Sequence, residues 1–149
     1  MITGYATPEG TKKFAERQNQ DSQKNYKNVH NLTLSNVGIG TYLGNPDIET
    51  DKLVEAAVKK SILGGINVVD SAINYRAQKA ERSMGNAISE LINNNDISRE
   101  EIFVSTKNGY VTNDGDIKEE LMQYVMREYG KTGIVKEGDI SPGYHCMTL

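Results

Sequence analysis

Ile66-Asn67-Val68-Val69-Asp70-Ser71-Ala72-Ile73-Asn74-Tyr75 is the stretch on which the reading of this chain turns. A short apolar run bounded by turn residues suits a parallel strand covered on both faces. Here it ends in an acid, with a phenol five residues on. Just before it, Leu53, Val54, Ala57, Val58 and Ile62 fall near the three-to-four spacing of a helix face, which Gly64-Gly65 terminates. Thirty-two residues beyond Tyr75 (107 − 75), a second apolar run, Ile102-Phe103-Val104-Ser105-Thr106, ends in Lys107. Between the two runs, Met84, Ala87, Ile88 and Leu91 predict another amphipathic helix that runs out in Asn93-Asn94-Asn95-Asp96.

Further out, Leu32 and Leu34 alternate with Thr33 and Ser35, and Val37 and Ile39 with Gly38 and Gly40, as two short strands or one entered through a turn. Strand, helix, strand, helix, strand with short connections is the pattern of parallel βαβ units. Three ionisable groups then stand at the carboxyl ends of two strands, where α/β barrels carry their chemistry. Residues 9 to 31 are dominated by Lys, Gln, Asn, Asp and Glu, and residues 1–31 read as a polar extension outside the core. Thr7-Pro8-Glu9 offers a short helix start, a cap residue followed by Pro. Beyond Gly109, Ile117, Leu121, Tyr124 and Val125 fit a helix ending at Gly130, and residues 110–149 read as an insertion followed by a loop from Gly138 onward.

The 149 residues amount to about one domain by length. A hydrophobic share of 37 % is lean beside the ~45 to 50 % of an ordinary globular domain. With 17 basic against 20 acidic residues, a net charge of −3 gives no footprint for nucleic acid or an anionic membrane. Cys146 is the single cysteine, so no intrachain disulfide or CxxC site exists, and a reducing compartment fits. Met1 to Gly10 lack the pattern of a signal peptide, and no window approaches the ~18 apolar residues of a membrane span, so the chain reads as cytoplasmic. Without a secretory signal, the glycosylation pattern Asn31-Leu32-Thr33 carries no meaning.

In order and wording, four blocks resemble the aldo-keto reductases. They are Val37-Gly38-Ile39-Gly40-Thr41-Tyr42-Leu43-Gly44, then Asp70 to Tyr75, then Ala80-Glu81-Arg82-Ser83-Met84-Gly85-Asn86-Ala87-Ile88, and Val104-Ser105-Thr106-Lys107-Asn108-Gly109. The resemblance covers residues 32–109 and implies the N-terminal three βα units of a (β/α)8 TIM barrel, an α/β fold left incomplete in this chain. Such barrels typically need ~200 to 250 residues or more. It further implies an NADP(H)-dependent oxidoreductase that reduces aldehydes or ketones by hydride transfer, with Asp70, Tyr75 and Lys107 as catalytic residues and Thr41, Tyr42 and Asp70 at the cofactor. The family's catalytic histidine is expected on a later strand, so the chain alone is expected to be inactive. A non-enzymatic half-barrel that needs or binds a partner, or associates with itself through open sheet edges, is the alternative.

Each assignment has a plainer reading. Reducing a carbonyl leaves an alkoxide that needs a proton; a phenol with a pKa near ~10 gives one up reluctantly, and an ammonium beside it favours the ionised form. Tyr75 and Lys107 fit those roles, with Asp70 holding the lysine; taken singly they are a loop tyrosine and a solvated charge. The glycines at 38, 40 and 44 invite a dinucleotide-binding reading, but the third glycine of that fingerprint falls at Leu43. Close packing at a barrel mouth explains them as well. His145 follows no apolar strand and reads as a loop histidine, and His145-Cys146 has no third partner to make a metal or nucleophile site. His30 sits in the polar extension without a role. Glu81 reads as a helix-start carboxylate favoured by the dipole.

Overall fold

The computed structural model describes residues 2–18, 20–133 and 135–141. Helix α1 spans Pro8–Glu16, with the Thr7 side chain accepting from the Gly10 N–H at 3.0 Å and Pro8 in the first turn. This is the start that Thr7-Pro8 predicts. The helix is not a solvated extension, however. Thr11, Phe14 and Ala15, at spacings of 3 and 1, form one buried stripe in an otherwise polar helix, and Phe14 is only 1 % exposed. Thr7 N–H donates to the Glu100 carbonyl at 3.0 Å, and a Cβ on Gly10 would lie 2.4 Å from that oxygen, so the helix seats on the 99–101 turn only with glycine there. Arg17 closes the joint by donating to the buried Glu101 carboxylate at 2.9 Å. The expectation of a polar segment outside the core is corrected for this part.

A short helix α2, Gln20–Gln23, leads into an antiparallel hairpin of β1, Tyr26–Val29, and β2, Leu32–Ser35. Val29 pairs with Leu32, and the two loop residues between them, His30 and Asn31, have φ of 48° and 68°. That is the mirror-image turn that matches strand twist in two-residue hairpins. The hairpin is fastened by Asn67, which is buried: it donates to the Thr33 carbonyl at 2.9 Å and accepts from the Ser35 N–H at 2.8 Å. Asn67 precedes the central strand, so the hairpin lies at the amino ends of the parallel strands.

Those strands are β3, Ile39–Gly40, β4, Val68–Asp70, and β5, Phe103–Ser105, in the order β3-β4-β5 and all parallel. Gly40, Asp70 and Ser105 stand in one register row. Helix α3, Ile48–Leu63, is capped by Asp47, which accepts from the Thr50 N–H at 2.7 Å, and helix α4 spans Lys79–Asn93. The main core is Phe14, Val58, Ile62, Val69, Met84, Ile88, Leu91 and Ile102 with their neighbours. Val69 is fully buried against the helices, its register partner Val104 packs half-buried on the same core, and Val68 and Phe103 are half-buried in the adjacent row. Among the described residues the sheet has three parallel strands and does not close.

Helix α5 spans Leu121–Glu128 and begins later than the periodicity predicts, because Glu120 accepts from the Gln123 N–H at 3.1 Å and Ile117 stays exposed in the preceding turn. Val111, Tyr124, Val125 and Val135 make a second small core beneath it. His145, Cys146 and Pro142-Gly143 lie outside the described residues.

Candidate active site

The register row Gly40, Asp70, Ser105 puts three strand ends side by side, and the residues that follow each of them meet there. Thr41 N–H donates to the Asp70 carbonyl at 3.1 Å, Ser71 N–H to the Ser105 carbonyl at 2.9 Å and Ile73 N–H to the Lys107 carbonyl at 3.4 Å. This backbone stitching, rather than any side chain, brings Asp70 and Lys107 onto one rim. Lys107 Nζ then donates to both Asp70 oxygens, at 2.8 and 2.7 Å, and to the Ser71 carbonyl at 2.8 Å. The Asp70 carboxylate holds the Lys107 ammonium above the ordinary lysine pKa, with the Tyr75 hydroxyl adding in the same direction. Lys107 is therefore a fixed cation across the neutral range, not a base.

Tyr75 completes the group. The Lys107 ammonium lies 5.0 Å from the centre of its ring, within the reach of a cation–π contact. Tyr42 meets the same ring edge to face, with centroids 4.9 Å apart and planes at 69°. The structure thus unites Asp70, Tyr75 and Lys107 and adds Tyr42, whose own ring is 64 % exposed at the rim. Thr41 is placed differently: it is 2 % exposed, and its hydroxyl lies 3.1 Å from the Asp70 carbonyl and 2.9 Å from Ser71 Oγ. It braces the strand ends from below. Gly44, with φ of 105° and a Cβ position only 2.4 Å from Thr50, serves the turn into α3, and a Cβ on Gly38 would lie 3.0 Å from Val68, so close packing accounts for these two, whereas a Cβ on Gly40 would meet nothing within 4 Å.

Two features were not visible in the sequence. Immediately after Tyr75, Arg76, Ala77 and Gln78 all take positive φ, 49°, 52° and 71°. None is glycine, and left-handed backbone costs roughly 1–2 kcal/mol per residue. Around them runs a chain of paired charges. Arg76 donates to Asp51 at 2.9 Å, Lys79 reaches Asp51 at 2.8 Å and Asp116 at 2.6 Å, and Arg82 reaches Asp116 at 2.8 Å and Asp114 at 2.6 Å. The basic residues recur every third position, 76, 79 and 82, the one hint the sequence holds. Arg82 drives the Asp114 pKa down to about 2.

On the other side of Lys107 a cavity of about 450 Å³ opens between the strand ends and the 110–129 segment, lined by Ile73, Glu81, Thr106, Tyr110, Val111 and Tyr129 among others. Glu81, in the first turn of α4, accepts from the Thr106 hydroxyl. His30 stays at the tip of the hairpin, at the opposite end of the strands. Among the described residues no group of three His, Cys, Asp or Glu side chains converges on a metal position, and no helix is long and apolar enough to cross a membrane.

An acid, an ammonium and a phenol come together at the carboxyl ends of the parallel strands of this α/β fold. The chain belongs to the aldo/keto reductase family: the family's sequence profile matches residues 36–135, two thirds of the 149. That match implies a (β/α)8 barrel, of which the described residues show an open three-stranded parallel portion. Comparison with curated proteins gives no significant match.

Proposed function

We propose that Asp70, Tyr75 and Lys107 form the proton-donating centre of an NADP(H)-dependent reduction of an aldehyde or ketone. The observation that carries this reading is the Lys107 ammonium, locked by three acceptors at 2.7–2.8 Å and held over the Tyr75 ring. When bound, the dihydronicotinamide supplies hydride to the carbonyl carbon. Tyr75 gives its hydroxyl proton to the carbonyl oxygen, and the adjacent ammonium stabilises the phenolate left behind. Asp70 keeps the lysine charged and aimed, the support a reacting group needs to keep its geometry. Tyr42, exposed beside Tyr75, and Asp70 border the place a flat nicotinamide ring would occupy, with Thr41 fixing the rim beneath it.

The cofactor's phosphates are a different matter. Arg76, Lys79, Arg82 and Lys107, the cations nearest the site, are all engaged with carboxylates. In family barrels the phosphate site comes largely from loops after strands seven and eight. On this reading the 149 residues bind NADP(H) weakly and do not turn over by themselves, and a dissociation constant in the low micromolar range by fluorescence titration would contradict it. In a polypeptide that supplies the remaining barrel strands, Tyr75→Phe should lower carbonyl reduction by the ~10² to 10⁴ of general acid catalysis while leaving cofactor affinity nearly unchanged. Turnover close to that of the parent would assign the proton to another group.

A second reading, a non-enzymatic module that docks to a partner or to itself, is favoured by one observation. Among the described residues both β3 and β5 are open edges, and Val37, Leu43, Ile48 and Leu53 around the β3 side are 65–79 % exposed. Open edges and apolar patches drive association. Sedimentation showing a monomer at all concentrations, with one sharp unfolding transition, would dispose of it.

A further inference from the structure

We infer that Arg76 is a positioning residue for Tyr75: acting through Asp51 and Ser83, it holds the left-handed turn that follows the phenol, and so keeps the ring against the Lys107 ammonium. The inference rests on the proposed role of Tyr75 for its meaning and on independent geometry for its argument. Arg76 is the residue next to Tyr75, yet its side chain is 1 % exposed, an unusual place for a guanidinium in a surface loop. One end of the fork donates to Asp51 in the first turn of α3 at 2.9 Å, and the other to Ser83 in α4 at 2.9 Å. Its Nε is buried with no partner, so the two terminal nitrogens alone fix where the group sits.

Asp51 does not serve Arg76 alone. Through Lys79, Asp116, Arg82 and Asp114 the pairing continues into the 110–120 segment, three cations against three carboxylates. Gln78 adds a neutral tie, donating to the Asn113 carbonyl at 3.2 Å and the Tyr124 hydroxyl at 2.9 Å, and Gly115 N–H reaches the Ala77 carbonyl at 2.9 Å. Residues 76, 77 and 78 are thus each held from outside in a conformation that no glycine makes easy. Tyr75 is attached to the first of them. With the tie cut, the turn can return to ordinary backbone and carry the phenol off the ammonium.

The test uses the whole 149-residue chain and reads the nuclear Overhauser cross-peak between Tyr75 ring protons and the Lys107 ε-methylene, assigned with Tyr75→Leu. The Lys107 Nζ lies 5.0 Å from the Tyr75 ring centre; with proton separations on that scale, a shift of about 1 Å, large enough to matter for a reacting group, weakens a cross-peak that follows the inverse sixth power of distance about threefold. Arg76→Met, which keeps the length and loses the fork, is expected to show at least that loss, with the Val58, Ile88 and Leu91 methyl shifts unchanged. Ser83→Ala removes one tie with little threat to the fold and is expected to show a smaller loss, and Arg76→Lys, which reaches only Asp51, partial recovery over Arg76→Met. Wild-type intensity in both Arg76→Met and Ser83→Ala would overturn the positioning role while leaving the site itself standing. If Arg76→Met disturbs the core methyls, Ser83→Ala and Arg76→Lys decide in the same way. A wild-type chain without the cross-peak would overturn the site geometry and this inference together.

Discussion

Phe14→Ala tests whether the N-terminal helix belongs to the core. Phe14 is 1 % exposed, meets Tyr26 edge-on at 6.5 Å between ring centres, and carries the Arg17 guanidinium 4.8 Å over its face. Burial of such a ring is worth ~1.5–3 kcal/mol, the aromatic pair ~0.5–1.5 kcal/mol, and the partly exposed cation contact ~0.5–1 kcal/mol. A loss of about 3–5 kcal/mol follows, which is also the measured range for Phe→Ala in cores. Against a total stability of ~5–15 kcal/mol this is a large share, and at ~2–4 °C per kcal/mol it should lower Tm by about 6–20 °C. Urea unfolding followed by circular dichroism gives the number, with exposed Lys13→Ala on the same helix as control. A change within ~0.5 kcal/mol, the usual size for a surface substitution, would show that the helix is a solvated extension after all.

Asn67→Ala should cost about 2–4 kcal/mol, since it leaves the half-buried Ser35 N–H and Thr33 carbonyl without their side-chain partner, each toward the low end of the ~1–3 kcal/mol of a stranded group, and it should speed hydrogen exchange at Ser35; unchanged exchange there would mean the hairpin is held by other contacts. Asp114 offers a pH test. The Arg82 guanidinium depresses its folded pKa to about 2, below the ~3.9 of an unfolded aspartate. A depressed carboxylate stabilises the fold above its unfolded pKa, and that contribution drains away as pH falls through the folded value. Between about pH 4 and pH 2, therefore, Asp114→Asn should flatten the decline of Tm seen in the parent, and parallel declines would show that the Arg82–Asp114 pair does not form in solution.

Much of the site was legible because strands and helices announce themselves locally. Apolar runs ending in Asp70 and Lys107, the stripe through Met84, Ala87, Ile88 and Leu91, and the Thr7-Pro8 cap each depend on neighbours within a turn or a strand. What escaped depended on composition misleading or on distance. Helix α1 is polar in most positions, and only the 11, 14, 15 spacing marks a buried face. The hairpin escaped because its turn is His30-Asn31 rather than the Asn-Gly or Asp-Gly that such turns favour. Ile117 fits the α5 periodicity but sits ahead of the Glu120 cap that starts the helix. The charge network joins residues 25 and 37 positions apart, Arg76 to Asp51 and Lys79 to Asp116, and no local pattern specifies such pairs.

The two ends of the parallel strands are built for different purposes, and that division orders the expected effects of mutation. At the amino ends, α1, the hairpin and Asn67 are fastened by apolar burial, neutral hydrogen bonds and the single Arg17–Glu101 ion pair, and none of these ties points at the Asp70, Tyr75 and Lys107 cluster. Damage at that end should change stability without moving Tyr75 relative to Lys107. At the carboxyl ends the backbone is strained at Arg76 to Gln78, the ties are ionic, and the Lys107–Asp70 pair is open to solvent, with 47 % and 40 % of each side chain exposed. An exposed pair of this kind contributes only ~0–1 kcal/mol to stability. Losing Lys107 should thus leave the fold nearly as stable as before and, on the role proposed for Tyr75, remove the charge that would make the phenol a usable acid. Strained backbone beside the Asp70, Tyr75 and Lys107 cluster fits a barrel-type scaffold whose lower face serves stability and whose upper face serves reaction.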